Sequence, residues 1–69
     1  MNLKQIISFL GKKVKIIDDE NIQYVGYLLG YTTANNNEEN EWSIDIFPNK
    51  DSLSGIELFE SEIKIIEVI

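Results

Sequence analysis

The strands that organise this chain are encoded near its start, where residues 13–33 read KVKIIDDENIQYVGYLLGYTT. Val14 and Ile16 alternate with lysines, which is the period of a half-buried β-strand. The polar run at 18–21, DDEN, consists of residues that favour a hairpin turn. We therefore predict a first strand at about 13–17 that turns back into an antiparallel partner.

The partner strand, at about 22–33, is too long to stay flat in a small domain. It is rich in β-branched and aromatic residues, but Gly26 and Gly30 interrupt it. Glycine inside a strand marks a bulge or a sharp bend. We expect this strand to bend at the glycines and to serve both halves of a small barrel.

An amphipathic helix is predicted before these strands, at about 2–10. Apolar residues recur there at helical spacing, between an N-cap residue and a glycine stop: Leu3, Ile6, Ile7 and Leu10, flanked by Asn2 and Gly11. The apolar stripe must be covered by another element, and we expect it to close one end of the barrel.

Three shorter strands are predicted after a polar loop at 34–40. They fall at about 42–47, 56–59 and 63–68. A helix followed by five short strands with mainly hairpin connections is typical of small barrels. The sequence thus predicts one mostly β domain over 1–69, a strongly bent, antiparallel, five-stranded SH3-like barrel with a short N-terminal α-helix.

The fifth strand is apolar on both faces near its middle, because Ile63, Ile65, Ile66 and Val68 break strict alternation. Either the strand bulges or something covers both of its faces. An apolar edge strand is a natural site for strand pairing between subunits. These four residues are therefore the candidate self-association edge, and coverage by the chain's own helix is the alternative.

The charge and composition of the chain restrict the classes of function that it can have. Twelve acidic residues against six lysines give a formal net charge of −6, and the 69 residues include no arginine, cysteine or histidine. Phosphate binding depends on clustered positive charge, so a nucleic-acid partner is disfavoured. Without thiols or imidazoles the usual metal sites and nucleophile–base pairs are missing. We predict a protein that is not an enzyme and has no cofactor, metal or small-molecule substrate.

No apolar run approaches the ~18 residues of a membrane span, and the N-terminus lacks a continuous signal-peptide core. A cytoplasmic location without membrane association is expected.

Asp18, Asp19 and Glu20 lack the spacing of a calcium loop, so a turn is favoured over a cation site. The chain's aromatic residues fit either the core or a platform for an extended peptide.

The segments GKKVKII at 11–17 and YVGYLLGY at 24–31, joined by the acidic turn, resemble the first half of the signature of the Sm-like family of small barrels. Gly26 matches that family's mid-strand glycine, and residues 55–68 are similar in hydrophobic rhythm to its last two strands. The resemblance implies an SH3-like barrel and a ring in which strand four of one subunit pairs with strand five of the next.

The resemblance also implies where RNA would bind. The family carries a basic residue before glycine or beside histidine between strands four and five, where this chain has Phe59 and Glu60. It carries an aspartate and an asparagine after strand two, where this chain has Thr32 and Asn36. Tyr31, Asn36 and Phe59 are therefore weak candidates for a nucleic-acid or partner contact.

These observations favour a non-catalytic, self-associating Sm-like or SH3-like domain that acts through contacts with itself or with a protein partner. Two alternatives remain open at this point. One is an RNA-binding Sm-like protein with a degenerate site, and the other is an acidic inhibitor or decoy of a basic partner.

Overall fold

The computed structural model describes residues 2–69. It confirms a mostly β chain with five antiparallel strands and one short helix. The elements are α1 (Leu3–Ile7), β1 (Lys13–Asp18), β2 (Gln23–Thr32), a 3₁₀ turn (Ala34–Asn36), β3 (Ser43–Phe47), β4 (Ile56–Phe59), a second 3₁₀ turn (Glu60–Glu62) and β5 (Ile63–Val68). Every strand lies within a residue of its predicted bounds.

All five strands form one sheet in the order β4-β3-β2-β1-β5. Every neighbouring pair in this sheet is antiparallel. Within residues 2–69, β4 and β5 lie at opposite edges and do not pair with each other, so the sheet is not closed by hydrogen bonds. The barrel and its assignment to the SH3-like or Sm-like class stay predictions.

Helix α1 begins close to its predicted start at residue 2 but ends before its predicted end at residue 10. The Asn2 side chain accepts from the Gln5 backbone N–H at 3.0 Å, and the Gln5 side chain accepts from the Asn2 N–H at 3.3 Å. The Ser8 hydroxyl then donates to the Gln5 carbonyl at 2.6 Å, and the helix stops at Ile7 rather than Leu10. Serine competes in this way with the helical ladder.

Gly11 redirects the chain from α1 into β1. Its φ of +84° lies in the left-handed region that glycine adopts without strain. This conformation allows the Gly11 N–H to donate to the Leu28 carbonyl at 2.7 Å. The end of α1 is thereby joined to the middle of β2, and Leu10 is left largely exposed.

The core consists of inward-facing residues of the first four strands, of Trp42 just before β3, and of one helix residue. Its buried apolar members are Ile6, Val14, Ile16, Leu28, Trp42, Ile44, Ile46 and Leu58. Ile63 and Ile66 of β5 pack against this cluster while half-buried. Because burial of such a side chain contributes about 1.5–3 kcal/mol, these few residues supply most of the driving force for folding.

β2 changes partner strands near Gly26. Gly26 pairs with Val14 of β1, and from Tyr27 onward the strand also pairs with β3. A Cβ on Gly26 would lie 2.5 Å from the Phe47 carbonyl oxygen and 2.7 Å from a methyl carbon of Ile46. Only glycine permits this approach of the two backbones.

A bulge in β2 reverses which face its last residues occupy. Leu28 pairs with Ile46 and Gly30 with Asp45, so Leu29 is left out of the ladder. Directly opposed residues of antiparallel strands share a face. Tyr31, which pairs with Ile44, therefore lies on the core face at the sheet's end rather than on the face of Tyr27.

A second irregularity explains the apolar pattern of β5. Ile17 pairs with Ile65 and Asp18 with Ile63, which leaves Lys64 as the extra residue. Of the two sequence-based alternatives, the bulge is therefore present. Ile65 falls on the outer face and stays exposed, whereas Ile66 faces the core.

Substituting Gly26 tests the close approach of β2 to the end of β3. We expect Gly26→Ala to lower the free energy of unfolding by about 1–3 kcal/mol, because the new Cβ meets main-chain atoms that cannot move aside. Gly30→Ala is the matched control, since its Cβ meets the flexible Asp45 carboxylate at 2.9 Å. Urea unfolding followed by circular dichroism measures both. Equal stability of the two variants would contradict the assigned role of Gly26.

Candidate functional site

The outer edge of the sheet at β5 is apolar and partly solvent-exposed. Ile65 and Val68 keep 46% and 44% of their surface accessible, and Ile69 keeps 56%. Of the four residues predicted from the sequence, Ile65 and Val68 are thus available to a partner, while Ile63 and Ile66 are half-buried on the core. The main-chain groups of β5 that face away from β1 form an unpaired edge.

The opposite edge, at β4, is a second apolar strand. Ile56 is 41% exposed, although it pairs with the buried Ile46. Leu58 is buried and Phe59 half-buried. The alternation of Ile56 and Leu58 was visible in the sequence, but only the Sm-like resemblance, and not the residue pattern, implied that β4 would lie at an edge.

A fully exposed leucine lies in the loop that leads into β4. Leu53 has 102% relative exposure, so it gains nothing from packing within its own molecule. The loop is nevertheless ordered around Asn49, whose side chain accepts from the Asp51 N–H at 3.0 Å and whose carbonyl accepts from Ser52. An apolar side chain held out by an ordered turn is a candidate anchor for a partner.

A groove of about 390 Å³ runs between α1 and β5. We call it the helix groove, and its lining residues are Gln5, Ile6, Ser8, Phe9 and Ile66. None of these side chains is charged. The groove opens beside the β5 edge because Ile66 belongs to both.

A second cavity of about 300 Å³ lies where the first half of β2 diverges from β3 and β4. It is lined by Tyr24, Val25, Ile46, Phe47, Pro48, Ser54, Gly55 and Ile56. Nearby, Lys50 Nζ lies 5.5 Å from the centre of the Tyr27 ring, within the range of a cation–π contact. The aromatic residues are divided between core and surface, and Trp42 belongs to the core.

The acidic hairpin turn is held by Asp18. Its carboxylate accepts from the Glu20 and Ile22 N–H groups, both at 2.9 Å, and from the Tyr24 hydroxyl at 2.9 Å. Burial would raise the pKa of this carboxyl, but the hydrogen bonds from Ile22, Tyr24 and Glu20 outweigh it and lower the pKa below 3.8. The predicted turn is confirmed, and Asp18 is its structural centre.

Several carboxylates meet at the end of the sheet where this turn lies. The Asp19 N–H donates to the Glu62 carbonyl at 2.9 Å, and the Ser61 N–H donates to the Glu41 side chain at 2.8 Å. We call the surface formed by Asp19, Glu20, Glu41, Glu60 and Glu62 the acidic end. Within the described residues no group of three or more carboxylates is arranged to hold a metal ion.

Two carboxylates oppose each other on the outer face of β3 and β4. Asp45 pairs directly with Glu57, and the buried Ser43 hydroxyl donates to the Glu57 carboxylate at 2.6 Å. The Asn37 side chain donates in turn to Ser43 at 3.0 Å. Burial raises the pKa of Asp45 above 3.8, and the charge of Glu57 raises it further. This pair destabilises the sheet while both groups are ionised.

The structure does not bring the three weak contact candidates onto one face. Phe59 pairs with Ser43, whereas Tyr31 pairs with Ile44 on the opposite, core face. Asn36 lies in the 3₁₀ turn after β2, where its side chain donates to the Thr33 hydroxyl at 2.9 Å. Stacking of one base or one peptide across both aromatic rings is therefore not supported by this arrangement.

Comparisons with protein-family models, with curated proteins and with solved structures found no match for this chain. Among residues 2–69, no helix has both the length and the apolar character needed to cross a bilayer.

The Asp45–Glu57 pair predicts a pH dependence of stability. Since the pKa of Asp45 is raised in the folded state, the free energy of unfolding should increase as the pH falls from neutral through that pKa. Asp45→Asn removes the repulsion and should stabilise the protein at pH 7 by roughly 0.5 kcal/mol. It should also flatten the pH dependence of stability over the acidic range in which Asp45 titrates.

Chemical denaturation across this pH range measures both effects. Asp51→Asn, in the exposed loop before β4, is a control with the same change of charge and should leave the profile unchanged. A less stable Asp45→Asn protein at pH 7 would contradict the repulsion.

Proposed function

We propose that this chain is a non-catalytic Sm-like or SH3-like β-barrel domain whose function is to assemble with other copies of itself through its sheet edges. The observation that carries the proposal is the pair of unpaired, apolar edge strands, β4 and β5, in one small sheet. Exposed edges of this kind are templates for strand addition, and soluble domains ordinarily protect them.

The two edges are different strands, so a contact between them is head-to-tail rather than two-fold symmetric. Repetition of such a contact gives a closed ring if the rotation between copies closes, and a filament if it does not. In either case the open sheet of one copy continues into the next. The resemblance to Sm-like proteins, together with the strand order observed here, supports the ring.

Domain size also supports assembly. A chain of 69 residues without cysteines has a small core and no disulfides, and such domains often gain stability by oligomerisation. Burial of Ile56 and Val68 between copies would extend the apolar cluster that each copy already contains, and burial of Ile65 would cover apolar surface on the outer face. Self-association therefore adds stability as well as an assembled surface.

Light scattering coupled to size-exclusion chromatography tests the proposal. We expect the wild-type protein to elute as a species of several copies whose mass falls on dilution. Ile65→Lys should shift it to monomer, because a charge on the exposed face of β5 opposes apolar pairing without disturbing the core. A wild-type monomer at millimolar concentration would refute self-association.

Ile22→Lys is the matched control for Ile65→Lys. Ile22 is an equally exposed isoleucine, 49% accessible, but it lies in the β1–β2 connection and belongs to neither edge strand. The Ile22→Lys substitution should leave the mass distribution unchanged. Equal effects of both substitutions would indicate nonspecific association of exposed apolar residues.

A second candidate function, binding of a basic protein partner, is favoured by the acidic end. Its five carboxylates come from three connections that main-chain and side-chain hydrogen bonds hold together. The surface includes Glu60, at the position where the Sm-like resemblance implies a basic RNA contact. A cationic partner is therefore proposed in preference to RNA.

Fluorescence anisotropy with labelled oligolysine and labelled U-rich RNA distinguishes these ligands. Oligolysine should bind, with an affinity that falls as salt increases, and Glu60→Gln should weaken it more than Asp51→Asn does. Binding of RNA but not of oligolysine would reverse the assignment.

A further inference from the structure

We propose that assembly of this chain takes up protons, because joining β4 of one copy to β5 of the next aligns three carboxylates on the outer face of the joined sheet. The carboxylates are Asp45 and Glu57 of one copy and Glu67 of its neighbour. This inference rests on the proposed self-association and adds its regulation, since contacts between copies then strengthen as the pH falls.

The direction of the joined strands follows from where each edge strand begins and ends. β4 ends at Phe59, directly before the turn that carries Glu60 and Glu62, so it runs toward the acidic end. β5 begins after that turn, at Ile63, and runs away from the acidic end. Copies that lie side by side with their acidic ends on the same side therefore join β4 and β5 as antiparallel strands, which is the more stable pairing per residue.

The register of the joined strands is set by the core face, which has to be continuous from one copy to the next. Ile56 and Leu58 are the core-face residues of β4, and Ile66 and Val68 lie on this face in β5. The antiparallel register that sets Ile56 opposite Val68 also sets Leu58 opposite Ile66. Both core-face residues of β4 thereby gain an apolar partner.

The same register aligns charges on the outer face. Glu57, which lies between the two core-face residues of β4, comes to lie opposite Glu67 of the neighbour. On its other side Glu57 already lies opposite Asp45. Beyond Glu67 the row continues to Lys15 of the same neighbour, whose Nζ is 2.8 Å from the Glu67 carboxylate. Three carboxylates therefore share a row with one ammonium group, and like charges directly opposed across strands destabilise a sheet.

Asp45 is the member of the row that takes up the proton. The Ser43 hydroxyl donates to Glu57 at 2.6 Å, and the neighbouring lysine pairs with Glu67, so both of these carboxylates have a partner that favours the charged form. Opposite Asp45 on β2 lies Gly30, which has no side chain to donate a hydrogen bond. Burial and the charge of Glu57 already raise the pKa of Asp45 in the single copy.

The other side chains around Asp45 do not reverse this balance. Tyr27 and Thr32, which share its face on β2, carry no charge at acidic or neutral pH. The β3–β4 connection contributes Lys50, whose Nζ lies over the Tyr27 ring, 5.5 Å from its centre. From β4, the group that faces Asp45 is Glu57. A protonated Asp45 donates to Glu57, and the row then carries two negative charges instead of three.

Assembly and protonation are linked through this row. Placing Glu67 beside Glu57 adds a negative charge, so the assembled row binds a proton more tightly than the two separate surfaces do. A state that binds more protons gains stability as the pH falls. Association should therefore strengthen through the acidic range above pH 3.8 in which Asp45 titrates, by at most about tenfold per pH unit for one proton per contact.

Analytical ultracentrifugation at a series of pH values tests the inference on the full chain. The dissociation constant between copies should fall severalfold from neutral to acidic pH. Glu67→Gln removes the added carboxylate, so it should tighten association at neutral pH and flatten its pH dependence. Asp51→Asn, which removes a charge in the exposed loop before β4, is the control and should keep the pH dependence of the wild type.

Urea unfolding of the dilute single copy distinguishes assembly from folding. β4 and β5 lie at opposite edges of one copy, so Glu67→Gln should keep the acid stabilisation that the Asp45–Glu57 pair causes. Asp45→Asn should flatten the pH dependence of both unfolding and association. Calorimetric dilution in two buffers of different ionisation enthalpy counts the protons directly, and it should show their release when copies separate.

The outcomes distinguish this inference from the proposed function. A wild-type protein that stays monomeric at every pH would refute self-association itself. Association without proton exchange would leave self-association in place and overturn proton uptake. A wild-type pH dependence that survives in both Glu67→Gln and Asp45→Asn would also overturn it, because the loss of net negative charge would then explain the effect.

Discussion

The close passage of β2 against the end of β3 at Gly26 is the constraint on which the rest of the sheet depends. One strand has to pair with β1 through its first half and with β3 through its second half. The absence of a side chain lets the two backbones approach closely there, and Val14, Leu28 and Ile46 lie in a common core. Without that approach the two halves of the sheet could not bury the same residues.

Much of this arrangement is readable from the sequence, since periodicity and turn residues locate all five strands. The face of the sheet that each residue occupies after a bulge is not readable from the sequence. The ladder omits Leu29 and Lys64, and which residue is omitted depends on the twist of the partner strand. For that reason the sequence left the orientation of Tyr31 open, although it indicated an irregular β5 correctly.

The candidate site was predictable only in part for a related reason. Hydrophobic excess identified β5, because a strand with apolar residues on both faces requires a second covering. No local sequence pattern identifies β4 as the other edge. No such pattern indicates that the position of α1 leaves a groove beside Ile66. The buried hydroxyl of Ser43 is equally unforeseen, since it depends on Glu57 and Asn37 from distant segments.

The pairing of β1 with β5 has a consequence for how the chain folds during synthesis. Val14 cannot pair with Val68 until β5 has been synthesised. Within this sheet, β1 is therefore synthesised before its partners and is among the last strands to be paired along both edges. Local hairpins such as β1–β2 form early, whereas contacts distant in sequence form late. On the ribosome, a partly made chain therefore presents the bare flank of β1 to chaperones or to other nascent chains until β5 emerges.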